Sequence, residues 1–407
     1  MGKGGLVIAA RSTIHCALIA LAYSSASPRL RLLGVHDTAS VAVKAATGID
    51  RPLVAIVNGV GYHTEVYCSL LWTFTQAGTM PSAFVLTETT SGIEHIISGW
   101  YTRPFQHYEG FLGKACDYSV VVFATFPEYH MDMANKVADK ACPGQRFVLI
   151  VHNPGALESS GPQAFLGRVE ATLMALAPHT VSAAVQALAR IDLAHAVPAR
   201  LFVPVFPIGN LSSSCESESA CTAAESAQKA FVLQGLFQSH RRDYNGLLDA
   251  IENNKELMTS PLFLLRLIGR GELEIPEALQ GKVLKETDMA YKEYYRTIQE
   301  AIAVIPAFSS DAYYTVKASS SVAAAIICGT PLLGDQLLLE TYSYLDDSAV
   351  HLLQPGDKDA AAMARLLALP AFEIAWRRDA IQELREGIYR LNGEVVEGIL
   401  MDQASRQ

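Results

Sequence analysis

The sequence lacks the short motifs that mark several common enzyme classes. It has no Walker loop, no Gly-x-Ser-x-Gly elbow and no HExxH helix, which argues against a P-loop NTPase, an α/β-hydrolase and a zincin protease. No CxxC pair occurs among the seven cysteines, so neither a zinc site nor a dense disulfide framework is expected. No metal-binding Asp-x-Asp motif stands out, and the sequence therefore predicts no metal site.

The sequence also lacks a basic stripe. Its 41 acidic and 32 basic residues give a net charge of −9, whereas proteins that hold nucleic acid through its phosphates usually show a basic surface. We therefore expect no nucleic-acid partner. Half of the 407 residues are hydrophobic, which is enough material for globular cores, and this length favours two domains.

One apolar stretch near the start is interrupted by polar residues. Residues 5–23 contain Arg11 and His15, so the stretch has the character of a signal peptide or a weak signal-anchor, and it could associate with a membrane. Residues 1–51 are also rich in Ser and Ala and poor in acids, which is equally typical of an organelle transit peptide. The endomembrane system is the favoured location, and an organelle or the cytoplasm remains open.

Apolar, β-branched segments alternate with amphipathic segments along most of the chain, as in a parallel sheet covered by helices. In the first half, the segments that predict buried strands are 52–60, 82–89, 118–125, 146–154 and 199–207. A Ser/Ala/Glu-rich stretch without an apolar period follows, and the alternation then restarts. The sequence therefore predicts an α/β fold with two Rossmann-like domains facing a cleft.

The predicted divisions follow these changes in composition. They are a leader (1–51), a first Rossmann-like domain (52–207), a Ser-rich linker (208–228), a second Rossmann-like domain (229–375) and C-terminal helices (376–407). Ligands of such sheets bind at the carboxyl ends of the strands, so we expect the functional residues there.

Four segments of the second domain carry a family resemblance in their order along the chain. They are FVLQGLF…RRDYNGLLDAI (231–251), LFLLRLIGRG (262–271), GKVLKETDMAYKEYYRTIQEAIAVIPAF (281–308) and SSSVAAAIICGTPLLGD (319–335). Together they resemble the donor-binding half of the GT-B glycosyltransferases of the group 1 type. In the first domain, NGVGYHTEVYCSLL (58–71) resembles the family's Gly-rich acceptor-side loop. The resemblance implies a nucleotide-sugar donor held by the second domain and an acceptor held by the first.

Three serines precede the apolar helix of the last segment. A serine caps free N–H groups at a helix start, and those groups together with the positive dipole end bind phosphate. Ser320 and Ser321 match the family's polar pair that contacts the donor diphosphate, although a simple helix cap would give the same pattern. The resemblance also implies Gly235, Arg241 and Arg242 for donor binding. Lys317 lies just before the serines and is a candidate second cation, although solvated basic side chains would look the same.

Three positions depart from the family's pattern, and the first is Leu236, which follows Gly235 where the family carries an arginine. Many members carry glutamates where this sequence has Val316 and Ala324, so the usual ribose-binding carboxylate is absent. Either the donor is held differently or catalysis is lost. Asp335 and Glu340 follow the Gly-Thr-Pro turn and are our candidates for binding sugar or ribose hydroxyls, although solvated loop acids would look the same.

The first domain offers two histidines for acid–base chemistry. His63 lies in the loop after the first predicted strand, where inverting relatives carry a catalytic histidine, and a base works best with a pKa near the ambient pH. Glu65 is placed two residues further on to orient it. His152 ends the strand at 146–154 and is the second candidate. A retaining reaction would need no such base, so the stereochemistry stays open.

We therefore predict a glycosyltransferase of the hexosyltransferase type that needs neither a metal nor a cofactor. It would move a sugar from a nucleotide-sugar donor to an acceptor that the sequence does not identify. Two alternatives stay open. One is a catalytically inactive GT-B-like module that binds a glycan or a partner, which Val316 and Ala324 favour. The other is a sugar-nucleotide epimerase on the same fold.

Overall fold

A computed structural model describes residues 52–209, 211 and 229–404. The predicted leader, most of the predicted linker and the last three residues lie outside this part. The first sheet has seven parallel strands in the order β3-β2-β1-β4-β5-β6-β7. Its strands are β1 (Val54–Asn58), β2 (Ser82–Val85), β3 (Gln106–His107), β4 (Val120–Phe126), β5 (Arg146–Val151), β6 (Ala171–Ala175) and β7 (Ala199–Leu201).

The second sheet has six parallel strands in the order β10-β9-β8-β11-β12-β13. Its strands are β8 (Lys229–Leu236), β9 (Phe263–Arg270), β10 (Val283–Thr287), β11 (Ala303–Val304), β12 (Leu332–Gly334) and β13 (Val350–Leu352). Strand β1 and the four central residues of β8 are buried, as expected for parallel sheets with both faces covered.

The helices connect the strands. In the first domain they are α1 (Thr64–Gln76), α2 (Ile93–Ile97), α3 (Phe111–Lys114), α4 (Met131–Asp139), α5 (Ser160–Leu166) and α6 (Pro178–Arg190). In the second they are α7 (Tyr244–Glu252), α8 (Lys255–Thr259), α9 (Tyr291–Glu300), α10 (Ala312–Thr315), α11 (Ser320–Cys328), α12 (Gln336–Thr341), α13 (Asp359–Leu367) and α14 (Ala371–Ala404). No helix in these described ranges is long and apolar enough to cross a membrane.

Both sheets reverse their strand order at an equivalent place. In the first sheet β1 lies between β2 and β4, and in the second β8 lies between β9 and β11. Connections leave such a switch point in opposite directions and open a crevice at the carboxyl ends of the strands. The predicted fold, two Rossmann-like domains, is confirmed.

The two sheets belong to one compact unit. Helix α14 packs on the first domain, where Asn392 exchanges two hydrogen bonds with the backbone of Val203, at 2.7 and 3.1 Å. At the start of α9, the Tyr291 hydroxyl donates to Thr64 at 2.6 Å, and the Tyr291 amide donates to the carbonyl of Ser91 at 3.1 Å. These contacts fix the second domain against the first beside the cleft.

The structure differs from the sequence prediction in a few elements. Strands β3, β6 and β13 were not predicted, and only three residues of the predicted strand at 199–207 are extended. The C-terminal helix is a single helix that begins at Ala371, so the predicted division at 375/376 falls inside it. This helix packs on α1 and β7 of the first domain and on α11 of the second.

Cysteine has two roles in the described part. Cys68 and Cys328 are buried as free thiols, as expected of small apolar side chains. Cys116 and Cys142 form a disulfide that the sequence did not indicate. Disulfides persist in oxidising compartments. This bond therefore agrees with the favoured endomembrane location, which remains a prediction.

Gly269 supplies the first test, because it pairs with Gly235 across β9 and β8 and has no room for a side chain. A Cβ atom at Gly269 would lie 1.7 Å from the carbonyl oxygen of Gly235, so the backbone would have to move. We expect Gly269→Ala to lower the free energy of unfolding by about 2 kcal/mol or more in urea denaturation. Gly393→Ala in α14 is the control. A Cβ atom at Gly393 meets no atom within 4 Å, so this substitution should leave the free energy of unfolding unchanged or raise it by up to about 1 kcal/mol. Equal effects would contradict this account of the strand pair.

Candidate active site in the interdomain cleft

A cavity of about 700 Å³ lies between the two domains. Residues that follow β1, β4 and β5 line one side, and residues that follow β8, β9 and β10 line the other, together with the start of α11. The cavity therefore joins the two switch points. Its size suits a ligand larger than a single sugar.

His63 lies at the end of the loop after β1, with an unusual backbone conformation. Its φ of 63° places it in the left-handed region, directly before the first residue of α1. Such a conformation in a residue other than glycine costs roughly 1–3 kcal/mol and occurs most often where function fixes a side chain. The side chain of His63 lines the cavity.

A chain of hydrogen bonds fixes the proton on His63. The Asn58 amide donates to the carbonyl oxygens of Val60 and Tyr62, both at 3.0 Å, so its Oδ1 is an acceptor for Thr125. The Thr125 hydroxyl donates to that oxygen at 3.3 Å and therefore accepts from Nδ1 of His63 at 3.0 Å. The network assigns the proton to Nδ1 and leaves a lone pair on Nε2.

The ring of His63 stacks on that of His152, with 3.8 Å between the ring centroids. Burial, aided by His152, His130 and Arg241, holds the pKa of His63 well below its usual value. Burial lowers the pKa of His152 to about 4, against its hydrogen bond to the carbonyl of Ala124. The lowered pKa leaves His63 unprotonated near neutral pH, so its Nε2 can accept a proton. Two neutral rings also stack without charge repulsion.

Arg242 is a buried cation on the opposite side of the cavity. It is 4% exposed, and its guanidinium lies 5.2 Å and 5.0 Å from the ring centroids of Phe308 and Tyr313. One Nη donates to the Ser321 hydroxyl at 3.0 Å, while Nε has no partner. Burial lowers the pKa of Arg242, and no carboxylate in the described ranges forms an ion pair with it. Such a cation attracts an anion strongly.

The three serines at the start of α11 have different roles. Ser319 caps the helix and accepts from the amide of Ser321 at 3.2 Å. Gln234 donates to the hydroxyls of Ser320 and Ser321 at 3.1 and 3.0 Å. Ser320 lines the cavity and keeps its hydroxyl proton for a ligand. Ser321 is fully buried and holds Arg242 and Gln234 in place, so only Ser320 of the predicted pair faces the ligand space.

Four cations and three acids line this cavity, although acids outnumber bases in the chain as a whole. The cations that line it are Arg241, Arg242, Arg270 and Lys317. Arg270 is paired with Asp288 at 3.2 Å, which leaves the other three near the start of α11. Cations beside a helix N-terminus are typical of a site for phosphate or another anion.

The cleft brings together most of the residues predicted from the sequence, but not two of the acids. The predicted residues that line it are His63, His152, Gly235, Arg241, Arg242, Lys317 and Ser320. Asp335 instead caps α12 by accepting from the amide of Leu338 at 2.9 Å, and it faces a separate cavity of about 320 Å³. Glu340 lies exposed on α12. Strand β12 carries both acids away from the cleft, so we do not retain them as ligands.

The hydrogen-bonding partners of the site were missed. Asn58 and Gln234 are polar residues near the ends of apolar strands, which is a signal that could have identified them. Thr125 carried no local signal, because its partners lie 62 and 67 residues earlier in the chain. Thr125, and not Glu65, is the residue bonded to His63.

Fold and site together define a two-domain protein of the GT-B type. No protein-family model matches the chain, and a search of curated proteins finds no match. Solved structures match it over most of its length. Anabaena HepE in complex with UDP and glucose is 12% identical, with a TM-score of 0.55 over 86% of this chain and 99% of that chain. A Rickettsia africae glycosyltransferase is 9% identical, with a TM-score of 0.55 over 87% and 99%.

A third match belongs to a protein named for another activity. The N-terminal domain of Candida albicans trehalose-6-phosphate phosphatase is 11% identical, with a TM-score of 0.57 over 87% of this chain and 97% of that domain. At such identities the matches show the fold alone, and they confirm the GT-B resemblance seen in the sequence. The activity has to be argued from the site.

The buried histidines predict an acid-sensitive fold. Burial lowers the pKa of His130 to about 4, so between pH 6.5 and 4 the unfolded chain binds a proton there that the folded chain does not. Stability should therefore fall as the pH falls through this range, by up to about 3 kcal/mol from His130. Urea unfolding at pH 7 and pH 4.5 should show a smaller loss in His130→Asn than in the wild type. His195→Asn, at an exposed position, should keep the wild-type loss; a full loss in His130→Asn would refute the prediction.

Proposed function

We propose that this protein is a glycosyltransferase that moves a sugar from a nucleotide-sugar donor to an acceptor hydroxyl. The observation that carries the proposal is the pairing, across one cavity, of an unprotonated His63 Nε2 with an uncompensated Arg242. An inverting transfer from a diphosphate uses both functions, a base for the nucleophile and positive charge for the leaving group.

His63 would act on the acceptor. Its Nε2 takes the proton of the acceptor hydroxyl as the oxygen attacks the anomeric carbon of the donor sugar. Thr125 accepts from Nδ1 and keeps the ring in the required tautomer. The bond between the anomeric carbon and the diphosphate oxygen breaks at the same time. A single displacement of this kind inverts the anomeric centre, and His152 supports it by stacking on the ring.

Arg242 and Ser320 would act on the leaving group. The nucleoside diphosphate leaves with additional negative charge, which the guanidinium and the N-terminus of α11 stabilise. The Ser320 hydroxyl donates to a phosphate oxygen, and Arg241 and Lys317 add positive charge at the cavity wall. The sugar as a hexose and the independence from metal and cofactors remain predictions.

A catalytically inactive binding module is the second candidate. Val316 and Ala324 stand where the GT-B resemblance implies carboxylates, and a matched structure with this fold is named as a domain of a phosphatase. An epimerase remains open from the sequence alone. A panel of nucleotide sugars, assayed for transfer, hydrolysis and epimerised product with and without EDTA, separates the three. Nucleotide binding without any turnover would favour the inactive module.

Ser320 provides a test of the phosphate site. Ser320→Asp places a negative charge where the diphosphate would bind, and like charges about 4 Å apart repel by about 1 kcal/mol in water and several-fold more in a dry cleft. We expect calorimetry to show at least about tenfold weaker binding of UDP or GDP. In Ser320→Asn the new side chain has the shape of aspartate without its charge, so this variant should bind UDP or GDP within about threefold of the wild type. Equal affinity in Ser320→Asp and Ser320→Asn would exclude this phosphate site.

His63 provides a test of the chemistry. His63→Asn should lower kcat for transfer by about 10²- to 10⁴-fold and leave UDP affinity within about twofold, because the base does not contact the diphosphate. His195→Asn is the exposed control and should keep the wild-type kcat.

The pH profile distinguishes a base from a structural residue. Because the pKa of His63 is held well below its usual value, kcat/KM should stay level as the pH falls through 6.5 and decline only well below it. A decline centred near pH 6.5 would mean that a solvated histidine, and not His63 in this site, is the base.

A further inference from the structure

Glu65 is one of three acids that line the cleft, none of which the proposed chemistry uses, and it is the one without a basic neighbour. It lies in the first turn of α1 and lines the cavity. Burial raises its pKa, opposed only by its own backbone amide, so no cation offsets its charge in the described part of the chain. The other two acids of the cavity have basic neighbours. Asp288 pairs with Arg270. Burial raises the pKa of Glu128, and the charge of Lys317 opposes that rise.

The groups around Glu65 are uncharged and rich in hydroxyls. Burial raises the pKa of Tyr291 to about 12, and the nearby Glu65 adds to this rise. Burial and Glu65 also raise the pKa of Tyr294 well above its usual value. Ala323 and Ala324 of α11 line the cavity as well and bring no polar side chain. This part of the cavity therefore suits a neutral group that carries several hydroxyls and can donate to a carboxylate.

Its position relative to the phosphate site is set by two packed helices. Helix α1 packs against α11, and Ala324 lies four residues after Ser320, which is about 6 Å along the helix. A nucleotide sugar carries a hydroxylated ring on each end of its diphosphate. With a diphosphate at Ser320, one of these rings would have room along Ala323 and Ala324 in the cavity that Glu65 also lines.

We propose that Glu65 binds the vicinal hydroxyl pair of the donor ring that lies along α11. The carboxylate accepts one hydrogen bond from each hydroxyl, and the first domain thereby supplies an acceptor that α11 itself lacks. The inference rests on the proposed function. Both the ribose and the transferred sugar carry vicinal hydroxyls. We expect Glu65 to bind those of the ribose.

The test uses Glu65→Gln, which keeps the shape and removes the charge. Calorimetry compares UDP, UDP-glucose, the 2′,3′-dideoxy analogue of UDP and inorganic pyrophosphate, together with GDP and its dideoxy analogue. We expect Glu65→Gln to weaken the ribose nucleotide at least about tenfold, the factor of one hydrogen bond to a charged group. The dideoxy nucleotide and pyrophosphate should bind within about twofold of the wild type. Glu128→Gln is the matched control and should not discriminate between the ribose and dideoxy forms.

Each outcome has a defined meaning. A loss confined to UDP-glucose, with UDP unchanged, assigns Glu65 to the transferred sugar and supports the inference in that form. Equal affinity of Glu65→Gln and the wild type for all of these ligands overturns it while leaving the proposed function intact. A wild type that binds neither a nucleotide nor a nucleotide sugar overturns the proposed function, and this inference with it.

Discussion

The buried guanidinium of Arg242 is the feature on which the rest of the site depends. Removing a cation from water costs several kcal/mol unless other groups replace the solvent. Here the rings of Phe308 and Tyr313 and the hydroxyl of Ser321 do so in part, and no acid completes the shell in the described ranges. Arg242 lines the cavity, so an anion bound there would supply the missing negative charge. The serines at the start of α11 therefore hold the cation in place as much as they cap the helix.

The shared topology of the two sheets explains why His63 and Arg242 face one cavity. Each sheet reverses its strand order at its first strand, so each domain opens its crevice beside that strand's carboxyl end. In the first domain this places His63 beside Thr125 on β4, and in the second it places Gln234 of β8 beside α11. The contacts of α9 and α14 with the first domain then keep the crevices opposed.

The sequence predicted what is encoded locally. Strands rich in Val, Ile and Phe were identified, whereas β6 (Ala171–Ala175) was missed because Ala, Leu and Met favour helices over strands. Likewise, Ser320 and Arg242 could be recognised from motifs. The burial of Ser321, the disulfide and the bond from His63 to Thr125 depend on contacts between distant segments, which periodicity does not report. For Asp335 the local sequence was misleading. Its position after the turn suggested a ligand-binding residue, but its carboxylate caps α12.

The two halves of the site are coupled through charge. Arg241 is one of the groups that lower the pKa of His63, after burial and the neighbouring histidines, so positive charge at the cavity wall helps to keep the base unprotonated. A bound diphosphate would offset that charge. The proton affinity of His63 would then rise when the proposed donor is in place, since a nearby anion favours the protonated imidazole. Arg241, a proposed donor-binding cation, thus helps to keep His63 unprotonated beforehand, and its neutralisation by the proposed donor would make His63 a stronger proton acceptor.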